Sequence, residues 1–305
     1  MPPPTPQISV IVPAFNGRSR YLTEAIQSIL DQTCTDFELI IVDDASTDQT
    51  HDIIPSHPRI TYFRRGQNGG PAAARNDGAK LAKGEFLAFM DQDDLWEPTF
   101  LEETVPILQA MADTAAVHTD GYSVNSKNEI IRYNRTIQRT DDVTVHLTKG
   151  HVLHACGSLF RKTHFDSVKG YDEKMMIWED RDLQIRLGSK YPLHHIPKPL
   201  FRNRVYKHNV SSTTPLEKSL ADRKYFLEKH APACQQEPHL KNALESEWAM
   251  LHSDMGKYYL SQNQRKKARQ CFRQSLRYSP FSRRTILRYL RSFTPFLPKH
   301  IRRLP

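Results

Sequence analysis

The 305-residue chain has four cysteines, Cys34, Cys156, Cys234 and Cys271, all far apart. That scarcity excludes a Cys-x-x-Cys metal cluster and a dense disulfide framework, and it suits a reducing compartment. Long apolar runs are missing too: no stretch of eighteen apolar residues occurs, so no membrane-spanning helix is expected. No basic-then-apolar leader is evident either, which sets the expectation of a cytoplasmic protein, peripheral at most to the inner face of a membrane. Acidic residues are absent from Gly256 to Pro305, a stretch that carries fourteen Lys and Arg, so the net charge of +9 belongs to this tail.

What the sequence does contain is an alternation. Ile8-Ser9-Val10-Ile11-Val12 reads as a buried strand, Leu22, Ala25, Ile26, Ile29 and Leu30 recur at helical spacing, and Phe37 to Val42 reads as a second strand. Ser46-Thr47-Asp48-Gln49 has the form of a capping box and predicts a further helix. Ile60 to Phe63 predicts a third strand, Pro71 to Ala82 an alanine-rich helix, and Phe86 to Met90 a fourth strand. Alternation of this kind builds an α/β fold with a mostly parallel sheet flanked by helices.

Ligands of such sheets bind beyond the carboxyl ends of the strands. Three polar clusters fall there: Pro13-Ala14-Phe15-Asn16, Asp43-Asp44 and Asp91-Gln92-Asp93-Asp94. Each alone could be turn chemistry, and Asp94 alone could be a helix cap. Together they point to a shared site. Three carboxylates within four positions repel one another and call for a cation, and ligands this hard suit Mg²⁺ or Mn²⁺ with room left for phosphate oxygens.

The motifs Val12-Pro13-Ala14-Phe15-Asn16, Val42-Asp43-Asp44-Ala45-Ser46-Thr47-Asp48, Asn68-Gly69-Gly70-Pro71 through Arg75-Asn76-Asp77-Gly78, Gly84-Glu85-Phe86 and Asp91-Gln92-Asp93-Asp94 resemble, in order and spacing, those of family 2 glycosyltransferases of the GT-A (Rossmann-like) fold. The resemblance covers roughly residues 7 to 210. It implies a nucleotide-sugar donor, with UDP the first expectation. Pro13, Ala14, Phe15, Asn16 and Gln92 would line the nucleotide pocket, Asp44 would accept a hydrogen bond from the base, Asp91 would sit near the ribose, and Asp93, with Asp91, would carry the metal. Arg75 and Asn76 would lie in the helix that closes the pocket from below, where an Arg can equally serve a structural ion pair.

A transferase also needs a base at the acceptor hydroxyl. Trp178-Glu179-Asp180-Arg181-Asp182-Leu183-Gln184-Ile185-Arg186-Leu187 predicts a helix with Glu179 and Asp180 in its first turn, where carboxylates are favoured for structure alone, and with Asp182 and Arg186 four apart and able to pair. The family resemblance implies that Asp180 is the general base, with Glu179 an acceptor contact and the alternative catalytic carboxylate, and Trp178 on the acceptor side. His154-Ala155-Cys156-Gly157-Ser158-Leu159-Phe160-Arg161-Lys162, followed by Gly170-Tyr171-Asp172, resembles the family's acceptor-side strand and turn, where Gly157 would allow close backbone approach. In Tyr206-Lys207-His208-Asn209, His208 would complete the metal shell or meet a phosphate. The acceptor is expected to be a glycan or lipid-linked hydroxyl.

Two other readings compete with transfer. A sugar nucleotidylyltransferase needs a glycine-rich loop after the first strand, and Pro13 to Arg18 offers one glycine. A silent sugar-nucleotide scaffold has no need of the Asp-x-Asp and Glu-Asp pairs.

By domain, residues 1–6 read as a stiff disordered lead-in, 7–214 as the α/β domain, and 215–305 as a basic helical extension. In the extension, Ala268, Cys271, Phe272, Ser275 and Leu276 share one predicted face, and Ile286, Leu287, Leu290 and Phe293 another. Tyr258 to Pro280 slightly resembles one tetratricopeptide helix pair. The basic face is expected either to stay solvated or to meet an anionic membrane surface; without interleaved aromatics, nucleic acid is not expected.

Overall fold

A computed structural model describes residues 5–17, 19–135, 154–206, 213–234 and 238–293. The chain divides into two compact units, the first ending at Thr213 and the second beginning at Thr214.

In the first unit the elements run β1 (Ile8–Ala14), α1 (Arg20–Leu30), β2 (Phe37–Asp43), β3 (Ile60–Arg64), α2 (Gly70–Leu81), β4 (Phe86–Phe89), β5 (Leu95–Trp96), α3 (Phe100–Ala110), β6 (Ala116–Val124), β7 (Ile130–Asn134), β8 (Ser158–Arg161), α4 (Lys162–Ser167), α5 (Glu179–Gly188) and β9 (Leu193–Arg204). One sheet runs β3-β2-β1-β4-β8-β6-β9-β5, with β7 paired to β6. Its first four strands are parallel, as the alternation predicts. From β4 onward β8 enters antiparallel to both β4 and β6, and β9 lies parallel to β6. The expected α/β architecture is therefore a parallel half joined to a mixed half.

Residues of β1 alternate between two cores. Val10 and Val12 pack with Ile26 of α1 and with Phe100, whereas Ile11 packs with Val42, with Ala74 of α2 and with Leu183 of α5. Helices α2 and α5 thus share one face of the sheet. Gly78 sets how closely α2 approaches: a Cβ there would stand 2.4 Å from Ile11 Cγ2. Arg75, one turn earlier on the same helical face, is thereby brought down to the sheet.

The helix predicted from Ser46 does not form. Ser46 Oγ accepts instead from Asn16 N at 2.9 Å, and only a short 3₁₀ turn, Thr50–Ile53, follows. The hydroxyl that would cap a helix is turned to the β1 loop instead.

The second unit holds α6 (Leu216–Cys234), α7 (Pro238–Ser261), α8 (Arg265–Tyr278) and α9 (Arg283–Arg291). In the α7–α8 pair, Ala268 and Phe272 are fully buried, and a Cβ at Gly256 would stand 2.5 Å from the Phe272 ring. The expected face of α8 is therefore the packed one. On α9 it is not: the buried residue is Thr285, with Ser292 just beyond, while Leu287, Leu290 and Phe293 are exposed. No described helix is long and apolar enough to cross a membrane.

Candidate active site

At the carboxyl rim of the parallel strands, the three predicted clusters are bound to one another. Gln92 Oε1 accepts from Phe15 N at 3.0 Å and Gln92 Nε2 donates to Phe15 O at 3.2 Å, which ties the end of β4 to the end of β1. Gly17 makes room for this bridge, since a Cβ there would stand 2.9 Å from Gln92 Oε1. Asn16, in the left-handed region at φ 48°, accepts from Thr47 N on Oδ1 at 2.8 Å, and Asp44 N donates to Ala14 O at 2.8 Å, so β1 and β2 end in one hydrogen-bonded rim. Pro13 and Ala14 are buried and the Phe15 ring is exposed.

The Asp44 carboxylate accepts from Gly69 N at 2.9 Å, from Gly70 N at 2.7 Å and from Arg65. Three of its acceptor positions therefore hold the loop that opens α2. Asn76 likewise commits its amide: Nδ2 donates to Tyr171 O at 2.9 Å and to Glu173 Oε1 at 2.8 Å, and Oδ1 accepts from Tyr171 N at 2.9 Å. It clamps the turn that precedes α5.

Arg75 is the hub. Its side chain is 3% exposed, Nη2 donates to Asp91 Oδ1 at 2.6 Å, Nη1 donates to Glu179 Oε1 at 2.9 Å, and Asp180 Oδ1 lies 3.7 Å from Nη1. Its guanidinium carbon stands 5.2 Å from the centre of the Tyr171 ring. One cation thus joins the end of β4 to the first turn of α5, which are separated by about ninety residues of chain. Trp178, just before that turn, takes the left-handed region at φ 83°. Such a backbone is costly for a residue with a Cβ and tends to persist where it aims a functional group. Asp182 pairs with Arg186 at 2.6 Å, as its spacing predicts.

Burial, reinforced by the charge of Asp180 and opposed by Arg75, pushes Glu179 up to about 8. Burial also pushes Asp180 up to about 6, with Arg75 opposing and Asp91 adding to the rise. Asp180 keeps 21% of its side chain exposed, and its buried Oδ1 has no hydrogen-bond partner among the described residues. Burial thus raises both carboxyls of this turn, and Arg75 opposes the rise at each.

Asp93 rises to about 6 through burial and then through Asp91, while a hydrogen bond with Tyr206 and the charge of Arg204 oppose the rise. Asp91 is thus a common neighbour of Asp93 and Asp180. Asp94 is fully buried and accepts from Arg204 N at 2.8 Å, so it belongs to the fold. Among the described residues no group of three His, Cys, Asp or Glu is placed to hold a metal. Asp93 and Asp91 are hard oxygen donors of the kind a divalent ion takes, and Asp91 already pairs with Arg75 at 2.6 Å.

Gly157 has a packing role. It closes a 3₁₀ turn, Ala155–Gly157, and a Cβ there would stand 2.4 Å from Phe201 Cε1. His208, with Lys207, lies outside the described residues.

Sequence reasoning missed Arg204 and gave no role to Tyr206 or His154, although both fall in the motifs it singled out. Arg204 is buried, pairs with Glu24 at 2.8 Å and covers the Tyr21 ring at 4.2 Å, and Tyr206 leans on the same ring at 5.2 Å. His154 is pushed down to about 4 by burial, against the pull of Asp91. The available signal was their position, at the carboxyl end of β9 and just before the turn that ends at Gly157.

Residues 9–169 match the family model described as glycosyl transferase family 2. The chain is 30% identical over 218 residues to an uncharacterized glycosyltransferase of Rickettsia typhi, covering 68% of this chain and 67% of that protein. It is 27% identical over 212 residues to chondroitin synthase of Escherichia coli, covering 68% of this chain and 30% of that one. Against several relatives the matched part spans only about a third of their length. Among solved structures, S. aureus TarS 1-349 in complex with UDP-GlcNAc aligns with a TM-score of 0.68 at 18% identity, covering 94% of this chain and 89% of that one.

Proposed function

The chain belongs to glycosyl transferase family 2 and is a glycosyltransferase; from that premise we propose that it is an inverting enzyme, taking a sugar from a UDP-sugar to a hydroxyl of a glycan or lipid-linked acceptor. The observation that carries the reading is the Arg75 cluster, which gathers Asp91, Glu179 and Asp180 into one acidic site beyond the strand ends. The UDP-GlcNAc bound to TarS supports a uridine donor.

In this reading Pro13, Ala14, Phe15, Asn16 and Gln92 form the wall of the nucleotide pocket. Asp44 and Asn76 act at one remove, by holding the Gly69–Gly70 loop and the Tyr171 turn. Asp180 takes the proton of the acceptor hydroxyl. The freed oxygen attacks the anomeric carbon from the face opposite the diphosphate, the carbon–oxygen bond to the diphosphate breaks, and the nucleoside diphosphate departs with that electron pair. Glu179, bonded to Arg75, orients the acceptor beside Trp178. A Mn²⁺ or Mg²⁺ ion carried on Asp93 beside Asp91 would offset the charge of the leaving diphosphate. Arg75 keeps Asp91 and Glu179 in register, so that donor and acceptor meet in one place.

The roles separate in two variants. Asp180→Asn should lower kcat by at least about a thousandfold while UDP binding, read by calorimetry, stays within a few-fold. Asp93→Ala should lose the increment in UDP affinity that Mn²⁺ confers. Transfer by Asp180→Asn at the wild-type rate would remove Asp180 as the base.

A further inference from the structure

Helix α9 is packed inside out. Its inward residue Thr285 is held by hydroxyl contacts, with Oγ1 donating to Ser253 Oγ at 3.2 Å and lying 3.4 Å from Ser275 Oγ, while Arg288 Nη1 donates to Ser253 Oγ at 2.9 Å. The leucines face out: Leu287 is 54% exposed and Leu290 57%, and Phe281, just before the helix, is 92% exposed, while Phe293 packs on Tyr289 and under Arg269. A helix that stabilised its unit by burying an apolar stripe would be turned the other way.

The charges flank this face. At 100° per residue, Leu287 and Leu290 lie at the centre of the outward arc, Arg284 and Arg291 form a stripe along one side, and Arg283 marks the amino-terminal end. Arg283, Arg284 and Arg291 are exposed. No Asp or Glu occurs from Gly256 to the end of the chain. A partner for this surface must be apolar at its centre and anionic at its edge.

We propose that α9 and Phe281 form a docking surface for an anionic lipid bilayer, with Phe281, Leu287 and Leu290 entering the interface and the arginines on phosphate headgroups. Cationic and apolar side chains in adjoining stripes along one helix are what such an interface accommodates. A nucleic acid would use the arginines and leave the leucines in water. The inference goes beyond the transfer reaction and stands whether or not Asp180 is its base.

The test is flotation of the full chain with vesicles of phosphatidylcholine alone or with 30 mol% phosphatidylglycerol, at roughly 0.1 M and 0.5 M salt. Binding to the anionic vesicles at least about tenfold above the neutral ones, weakened by salt, is expected. The triple variant Phe281→Ser, Leu287→Ser, Leu290→Ser should lose at least about tenfold of that binding while keeping its melting temperature and elution volume, because all three side chains are exposed. A separate Arg284→Glu, Arg291→Glu variant should lose the preference for anionic vesicles. The proposal is overturned if the full chain does not float, if the triple serine variant floats as well as the parent, or if elution shows the surface already closed by a second copy.

Discussion

At the scale of the residue, the site gathers like groups around one cation. Asp180 and Glu179 are neighbours in one helical turn, and burial raises both, Asp180 to about 6 and Glu179 to about 8, with Arg75 opposing the rise at each. The base must be ionised to accept a proton, so transfer should fall about tenfold for each pH unit below about 6 and level off above it. Asp91 raises Asp180, and it also engages the cation that would lower it. Asp91→Asn should therefore move the acid limb of the pH–rate profile to lower pH on whatever rate remains. A limb that stays in place would mean that another group sets it. Arg75 could not be assigned this part from sequence, because an arginine in an alanine-rich helix has the same pattern whether it reaches solvent or is buried. Only the closeness of α2 to β1, set by Gly78, decides the matter.

At the scale of the element, the parallel half was legible from the residues themselves, whereas in the mixed half only the strand at Ser158 was indicated, and by family resemblance alone. Strands β1, β2 and β4 are continuous apolar runs because both of their faces are covered, and a run of that kind followed by helical periodicity has few other readings. Strand β8 is four residues long and takes its place antiparallel between β4 and β6 through pairing partners far away in sequence. The failure at Ser46 has the same origin, since a loop from β1 claims the hydroxyl. Gly157 is a third case: in sequence it offered room for a ligand, whereas in the structure the Phe201 ring takes the space. Gly157→Ala should destabilise the first unit by about 1–3 kcal/mol, the usual cost of overpacking. Chemical denaturation would measure it, and unchanged stability would mean that Phe201 moves aside freely.

At the scale of the whole molecule, chemistry and stability are divided between units with separate cores. The apolar clusters around β1 draw only on residues up to Phe201, whereas Phe226, Leu227, Leu251, Ala268 and Phe272 are buried within the second unit. Every described candidate site residue lies in the first. A ligand that binds only a folded unit stabilises it by about 2.7 kcal/mol at a hundred times its dissociation constant. For a unit of roughly two hundred residues, each kcal/mol raises the melting temperature by about 2–4 °C. UDP with Mn²⁺ should therefore raise the transition of the first unit by about 5–11 °C in scanning calorimetry and leave that of the second in place. Phe272→Ala should do the reverse, because truncating a fully buried phenylalanine costs about 3–5 kcal/mol and the loss falls on the helical unit. If UDP raised both transitions equally, the two cores would have to unfold as one, and the chain would be a single cooperative body.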